Sequence, residues 1–284
     1  MITQKQCAAV HDISGLGKCS LTAALPVLSA AGVSVGVLPT AVLSTQTGGL
    51  NEYTYRDLTD DMPKIMEHWR KIGISFDAVY SGFLGSKEQI DIVSSFVDEF
   101  KKDDGIFLCD PAMADNGKLY DTFNSDFATE MERLCKKADI IVPNFTEAAL
   151  LLGEKYIAPP YTEDYVKSLI LRLYDKLCVK SIVLTGVAFN NEEIGAAAFD
   201  ANTKEITYSL RKKIDGMFHS TGDLFASSLL GGILCGFSIN KSCEIAIDFT
   251  HSAILKTVEA NGDSRFGLCF ELLLPEYMKN LELI

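Results

Sequence analysis

Four consecutive residues, Ser220, Thr221, Gly222 and Asp223, stand at the start of a strongly apolar stretch. Residues 223–234 predict a buried helix, so these polar residues would lie at its N-terminus. Backbone N–H groups at a helix N-terminus bind anions, and Gly222 would let a phosphate approach closely. A carboxylate is unfavourable there unless it accepts a proton, which makes Asp223 a candidate general base. A simple helix cap is the alternative interpretation.

Two further polar clusters follow short apolar segments. Asp110 comes directly after residues 106–109, and Asn144 and Glu147 come after residues 140–142. Carboxylates at strand ends can bind Mg²⁺ or its waters. Local structure would explain the same residues, because Asp110 precedes a proline and Asn144 with Glu147 has the spacing of a capping box. Both interpretations stay open.

The polar segments 11–18 (HDISGLGK) and 44–49 (STQTGG) are the remaining candidates. The first fails as a Walker A loop, because Cys19 stands where Ser or Thr must follow Gly-Lys. It fails as a dinucleotide loop because Ser20 replaces the third glycine. It could be a turn capped by Asp12 or Ser14, or a polar lip that binds a small substrate. The second could be a surface loop or a source of hydroxyl donors.

Short apolar runs alternate with longer periodic segments, which predicts strands alternating with helices. This order predicts a three-layer α/β/α fold with a mostly parallel sheet, in a single domain of residues 1–284. The polar clusters fall after strands, where such sheets bind ligands. The predicted strands are 7–10, 33–38, 76–80, 106–109, 140–142 and 181–184, and the predicted helices are 16–31, 62–72, 87–100, 223–234 and 243–255.

The composition excludes several classes of function. Of the 284 residues, 48% are hydrophobic, enough for a large core, and the net charge of −12 argues against a nucleic-acid partner. The eight cysteines form no C-x-x-C pair and the four histidines are dispersed, which argues against zinc. Neither a signal-peptide core nor an apolar run of membrane-spanning length is present, so we expect a cytoplasmic protein that does not contact membranes.

The order and spacing of these clusters resemble those of the pyridoxal kinases, within the ribokinase-like superfamily. The resemblance extends along nearly the whole chain. It rests on five segments: LSTQTG at 43–48, SGFLGS at 81–86, CDP at 109–111 with DNGKLY at 115–120, VPN at 142–144 with Glu147, and TGDLF at 221–225. It implies ATP-dependent phosphorylation of the hydroxymethyl group of a B6 vitamer, with Mg²⁺, in a homodimer. It leaves a need for a monovalent cation such as K⁺ open.

The resemblance also implies a role for each matching position. Asp223 would be the catalytic base, and Thr221 and Gly222 would form the anion hole. The residues that would face the vitamer are Ser44, Thr47 and Phe83. The residues that would hold ATP are Asp110, Asp115, Asn144, Glu147, Thr185 and Ser220, with Asp110 and Glu147 near the metal.

Two departures from the family pattern bear on function. Such kinases usually have glycine where this chain has Ser220, and their substrate-binding serine near the first strand has no clear counterpart at Val10 or His11. Asp12 or Ser14 would take over the serine's role. Two alternatives remain: a hydroxymethylpyrimidine kinase, whose family typically has Cys where Asp223 stands, and a vitamer-binding protein without turnover.

Overall fold

The computed structural model describes residues 4–50 and 52–284. Its strands are β1 (Gln6–Ser14), β2 (Ser34–Leu43), β3 (Tyr55–Asp57), β4 (Phe76–Ser81), β5 (Lys101–Cys109), β6 (Ala114–Asp115), β7 (Lys118–Leu119), β8 (Ile140–Ile141), β9 (Ser181–Val187), β10 (Glu193–Asp200) and β11 (Glu205–Lys212). Within the described residues, nine of them form one sheet in the order β11-β10-β9-β8-β5-β4-β1-β2-β3. The strands β6 and β7 form a separate small hairpin.

Helices cover both faces of this sheet and give two hydrophobic cores. The helices are α1 (Leu21–Ala30), α2 (Met62–Lys71), α3 (Lys87–Phe100), α4 (Ser125–Cys135), α5 (Phe145–Leu152), α6 (Glu163–Leu177), α7 (Thr221–Leu234), α8 (Ile239–Glu259) and α9 (Leu274–Asn280). One core is built from α2 to α6 and the other from α1, α7, α8 and α9. Successive strand residues such as Cys7 and Ala8 enter opposite cores, because strand side chains alternate between faces. The predicted three-layer fold is therefore confirmed.

The strands from β9 to β2 across the sheet are parallel, and the edges are antiparallel. The strand β3 pairs antiparallel with β2, and β10 and β11 form an antiparallel extension beyond β9. The central strand β1 lies between β2 and β4. After β1 the chain first adds β2 on one side of it and later adds β4 on the other side. Open α/β sheets bind ligands at such a reversal of strand order, so the carboxyl ends of β1 and β4 flank the expected crevice.

The helix predicted over residues 16–31 begins later than expected. The strand β1 continues to Ser14, and α1 begins only at Leu21. Gly17 has φ +97°, and the N–H of Lys18 donates to the carbonyl of Phe266 at 2.9 Å, so the connecting segment is held in a loop by a distant part of the chain. Neither Asp12 nor Ser14 caps α1, because both lie in β1 and Ser20 precedes the helix.

The other predicted elements are present, mostly with longer bounds. The helix α3 coincides with its prediction, whereas α7 begins two residues before the predicted start and α8 extends beyond both predicted ends. The antiparallel strands and the helices α4, α6 and α9 were not predicted. In the described ranges, no helix is both long and apolar enough to cross a membrane.

Candidate functional site

The N-terminus of α7 has an unusual backbone conformation just before its first residue. Ser220 lies in the left-handed region, with φ 62° and ψ 18°, and makes no side-chain cap. Its Oγ atom is buried, with no hydrogen-bond partner among the residues that the structure describes. The predicted cap is thus absent, and the first-turn N–H groups are left for an external acceptor. The serine takes the conformation that glycine adopts most easily.

Asp223 lies in the first turn of α7 and is half-buried. Its carboxylate accepts a hydrogen bond from the thiol of Cys19, with 3.4 Å between Sγ and Oδ2. Burial raises the pKa of Asp223, and the nearby backbone N–H of Ser20 and the Cys19 thiol partly oppose that rise. Burial, followed by the charge of Asp223, raises the pKa of Cys19 well above its usual value, so the thiol keeps its proton and donates.

Asp12 is the second carboxyl group near this helix end. It is buried in β1, and burial raises its pKa to about 6, with a further contribution from the charge of Asp223. The hydroxyl of Ser20 lies near Asp12 and partly opposes the rise in its pKa. Ser20 therefore lies close to both acids, with its hydroxyl near Asp12 and its backbone N–H near Asp223.

Asp110 and Glu147 form a buried carboxyl pair at the ends of β5 and β8. Their exposed fractions are 9% and 3%. Burial raises the pKa of both groups, and the charges of Glu147 and Asp223 raise that of Asp110 further. Two neighbouring buried acids are stabilised by a cation, and Mg²⁺ in phosphate sites is typically held by one or two carboxylates with phosphate oxygens and waters. In residues 4–50 and 52–284, no group of three or more His, Cys, Asp or Glu side chains is arranged to hold a metal ion.

Asn144 and Glu147 also form the capping box that their spacing predicted. The Asn144 side chain accepts from the N–H groups of Thr146 and Glu147 at 2.8 and 3.0 Å, and the Glu147 carboxylate accepts from the N–H of Asn144 at 2.9 Å. Glu147 accepts a further bond from the N–H of Met113 at 3.1 Å. The local and functional interpretations are therefore compatible, since the capping contacts fix the carboxylate beside Asp110.

The remaining candidates for nucleotide binding lie near this pair. Thr185 forms a β-bridge with Asn144, and its N–H donates to the carbonyl of Pro143 at 3.0 Å. Asp115 is exposed in the hairpin of β6 and β7, where it accepts from the N–H of Asn116 at 2.8 Å. The charge of Asp115 contributes to the raised pKa of Glu147, so these two acids lie within electrostatic reach.

Four of the residues predicted to bind the vitamer differ in what they contact. Ser14 is buried, and its Oγ has no partner in the described part of the chain. Ser44 is exposed, and its Oγ accepts from the N–H of Thr54 at 2.9 Å, so this hydroxyl is engaged in loop structure. Thr47 is exposed on the same loop. Phe83 is half-buried, with its ring centroid 5.6 Å from that of Phe123.

Two tyrosines at the site were not predicted. Burial raises the pKa of Tyr120, and the charges of Glu147, Asp110, Asp115 and Asp223 add to the rise. Burial, then the charges of Asp57 and Asp12, raise the pKa of Tyr55 to about 12. Tyr120 is the last residue of the segment 115–120, one of the segments that carry the family resemblance, so the sequence could have identified it as a site residue. No sequence feature pointed to Tyr55.

The described residues also include buried polar groups at the ends of β1 and β4 that the sequence did not single out. His11 is fully buried, neither ring nitrogen has a partner in the described ranges, and burial lowers its pKa to about 3. Its ring centroid lies 4.2 Å from that of Tyr80 in an edge-on arrangement. A methyl group on Gly82 would lie 2.2 Å from His11 Nδ1, so the glycine makes room for the imidazole.

Sequence comparisons associate this arrangement with small-molecule kinases. The family model described as phosphomethylpyrimidine kinase matches residues 21–266. The pyridoxal kinase of Dictyostelium discoideum is 26% identical over 226 residues, which are 73% of this chain and 72% of that protein.

Solved structures extend the similarity over nearly the whole chain. A candidate phosphomethylpyrimidine kinase from Bacteroides thetaiotaomicron VPI-5482, in its orthorhombic form with pyridoxal, is 36% identical with a TM-score of 0.90, covering 99% of this chain and 96% of that one. Pyridoxal kinase from Lactobacillus plantarum is 28% identical with a TM-score of 0.89, covering 98% of each chain.

Proposed function

The chain belongs to the phosphomethylpyrimidine kinase family, beside the pyridoxal kinases of the ribokinase-like superfamily, and we propose that it is a vitamin B6 kinase. It transfers the terminal phosphoryl group of ATP to the hydroxymethyl oxygen of pyridoxal, pyridoxamine or pyridoxine, giving the 5′-phosphate. The observation that carries this proposal is the fixed carboxylate of Asp223 beside the uncapped N-terminus of α7.

Asp223 acts as the general base. A primary alcohol is a poor nucleophile while it keeps its proton, and a carboxylate within hydrogen-bond reach accepts that proton as the bond to phosphorus forms. The thiol of Cys19 donates to the carboxylate and favours one orientation of it, and the backbone N–H of Ser20 lies nearby. Its raised pKa makes it a better proton acceptor than a solvent-exposed aspartate.

The first turn of α7 supplies the anion hole. The backbone N–H groups of Thr221 and Gly222 belong to the turn that has no cap, so they stabilise negative charge on the transferring phosphoryl group. Gly222 has open space where a side chain would begin, which leaves room for phosphate oxygens. This part of the site therefore stabilises charge that develops in the transition state.

Asp110 and Glu147 hold Mg²⁺ with the ATP phosphates, and Asn144, Thr185, Asp115 and Ser220 line the nucleotide side. Two buried carboxyl groups with raised pKa values fit a divalent cation, because the cation stabilises their charged forms. When bound, Mg²⁺ neutralises phosphate charge during transfer. Ion replacement would test whether a monovalent cation such as K⁺ is also required.

The vitamer binds in the crevice between β1 and β4. Asp12 and Ser14 approach it from β1, Ser44 and Thr47 from the loop after β2, and Phe83 from the segment after β4. The support for this assignment is the crevice itself, together with the likeness to the Bacteroides structure obtained with pyridoxal. We further propose that the enzyme works as a cytoplasmic homodimer. Light scattering of the purified protein would test whether it is a dimer.

The decisive experiment is Asp223→Asn, assayed with ATP, Mg²⁺ and each B6 vitamer. Asparagine keeps the size of the side chain but loses its basicity, so we expect kcat to fall by about 10²–10⁴-fold. The matched control is Asp215→Asn, an exposed aspartate before the same helix, which should retain parental kcat. A folded Asp223→Asn protein that keeps more than about a tenth of parental kcat would rule out the general-base role.

The same assay decides between the alternatives. Asp223 favours a B6 vitamer over hydroxymethylpyrimidine, so kcat/KM should be higher for at least one vitamer than for the pyrimidine. The reverse preference would assign the chain to thiamine synthesis, and vitamer binding without ATP consumption would indicate a binding protein. EDTA should abolish turnover and added Mg²⁺ should restore it. Unchanged turnover in EDTA would contradict the metal assignment.

A further inference from the structure

The loop after β2 packs directly against His219, which comes two residues before the anion-hole residue Thr221. This loop, residues 44–50, includes two glycines whose backbone lies against the imidazole of His219. A methyl group on Gly48 would lie 2.5 Å from His219 Nδ1 and 2.8 Å from Cε1, and one on Gly49 would lie 3.2 Å from Nε2. All three separations are shorter than ordinary contacts between a methyl carbon and a ring, so the loop fits only because these residues are glycines.

A second set of contacts holds the same loop. Gln46 is buried, and its Nε2 donates to the carbonyl of Gly48 at 2.9 Å and to the carbonyl of Arg265. The Arg265 guanidinium forms a fork with Asp263, at 2.6 Å between the closest atoms. The loop is therefore held by contacts with both His219 and residues 263–265, and a displacement of its backbone at Gly48 meets the imidazole.

Residues 263–265 also hold the segment that carries His219. The Oγ atom of Ser264 donates to the carbonyl of Met217 at 2.7 Å, two residues before His219. Two residues after Met217 comes His219, which is followed at once by the left-handed Ser220. The imidazole thus lies against the loop of residues 44–50, and its own backbone leads directly into the left-handed Ser220 at the N-terminus of α7.

We propose that His219 is a positioning residue that transmits the position of the vitamer loop to the anion hole. This inference rests on the proposed function, in which residues 44–50 face the vitamer and α7 begins the anion hole. When the vitamer orders the loop, Gly48 and Gly49 fix the imidazole, and the imidazole fixes the peptide units of Ser220 and Thr221. The specificity of the loop thereby affects the rate of phosphoryl transfer as well as vitamer affinity.

The test is a pair of substitutions that meet at one contact. Gly48 does not have a positive φ, so alanine is tolerated by its backbone, but the new methyl group displaces the His219 ring. We expect Gly48→Ala to lower kcat by about 10- to 100-fold, since a misplacement of about 1 Å can have that effect. The vitamer KM should change by less than about threefold, because the other loop contacts remain. His219→Ala alone should lower kcat by less, because it removes the wedge without pushing the backbone.

The double variant Gly48→Ala/His219→Ala decides the mechanism. Removing the ring removes the two shortest contacts of the new methyl group and leaves only one of 3.1 Å, with the end of the Gln46 side chain. The double variant should therefore recover to within about threefold of the kcat of His219→Ala, a strongly non-additive result. His68→Ala, an exposed histidine of α2, is the control and should behave as the parent. If the effects on kcat are additive, or if Gly48→Ala raises KM and leaves kcat intact, the coupling is wrong.

A measurement without substrate separates this inference from the proposed function. Hydrogen exchange at the amides of residues 219–223 should quicken in Gly48→Ala and return in the double variant toward the rate of His219→Ala, compared with unchanged exchange in α2. A parent protein that phosphorylates no vitamer but shows this exchange pattern would refute the proposed activity and retain the coupling. Unchanged exchange at residues 219–223 in Gly48→Ala would refute the coupling whatever the substrate.

Discussion

After β8, the side chains of Asn144 and Glu147 have several protein partners, whereas at the ends of β1 and β4 several buried polar side chains have none in the described residues. Glu147 accepts from the N–H groups of Met113 and Asn144. In contrast, both ring nitrogens of His11 and the hydroxyls of Ser14 and Ser81 lack partners among the described residues. A buried polar group without a partner destabilises a fold by about 1–3 kcal/mol, so water or a ligand is expected at such positions.

This difference indicates that ATP and the vitamer would be bound in different ways. The half of the site that we assign to ATP and metal is preorganised, with its carboxylate fixed by a capping box before any ligand arrives. The half assigned to the vitamer is completed by what enters it. Preorganised groups favour catalysis because they need no rearrangement at the reacting phosphate, while unpaired groups favour selectivity because a ligand lacking the matching polar atoms leaves them unsatisfied.

The largest expected effect compares Glu147→Ala with Ser81→Ala. Glu147→Ala leaves two N–H groups without their acceptors, so we expect the free energy of unfolding to fall by about 2–4 kcal/mol. Ser81→Ala removes a fully buried hydroxyl with no partner in the described residues, so it should change stability by less than about 1 kcal/mol. Urea unfolding of both variants measures the two changes in the free energy of unfolding. Equal losses would show that the buried polar groups of the two halves are equally well hydrogen-bonded.

A smaller effect concerns the pH dependence of stability through Asp12. Its folded pKa of about 6 lies above the ordinary aspartate value of 3.8, so between pH 4 and 6 the folded protein binds more protons than the unfolded chain. Stability contributed by this group is present at low pH and decreases as pH rises through that window, by up to roughly 3 kcal/mol.

Asp12→Asn should remove this decrease, because the amide does not titrate. Urea unfolding of parent and variant at pH 4 and pH 7 gives the difference, in which the other acids cancel. We expect the variant to be the more stable protein at pH 7 and to have a raised vitamer KM. Identical pH dependence in the two proteins would mean that Asp12 is hydrated or neutralised in the empty crevice, and the contrast between the halves would be weaker.

The smallest expected effect concerns Ser220, at the boundary between the halves. Its left-handed backbone is strained for a residue with a side chain, and glycine removes that strain while adding freedom to the unfolded chain. Ser220→Gly should therefore stabilise the protein by up to about 1 kcal/mol and leave kcat at the parental value or above it. Thermal unfolding with steady-state assays checks both. A loss of kcat would show that the buried Oγ takes part in anion binding.

The parts of the fold and of the candidate site that could be predicted from the sequence are those marked by a local residue pattern. Apolar periodicity predicted the central strands and α3, α7 and α8. The rule that ligands bind after parallel strands selected Asp110, Asn144 and Glu147 as candidates, and the start of an apolar helix selected Asp223. The predictions of strands and helices were confirmed because burial and chain direction are encoded within a few neighbouring residues. Antiparallel β10 and β11 were missed because their pairing is a tertiary choice between short, ambiguous segments.

The groups that position Asp223 could not be predicted for a different reason. Cys19 and Asp223 are 204 residues apart, and Ser20 lies near Asp223 with a backbone N–H that has no sequence signature. The loop of residues 44–50 is held by backbone carbonyls, including that of Arg265, which any residue supplies. Side-chain type therefore identified the reacting groups, while the contacts that orient them became visible only in the folded chain.

The contact between Lys18 and the end of the chain has a consequence for biosynthesis. The Nζ atom of Lys18 donates to the carbonyl of Leu268, 250 residues later, and its N–H donates to that of Phe266. A ribosome adds about 5–20 residues per second, so the nascent polypeptide carries Cys19 and Ser20 for many seconds before their loop can close. A chain terminated before residue 266 would lack both contacts on Lys18, so the loop that brings Cys19 to Asp223 would be less restrained.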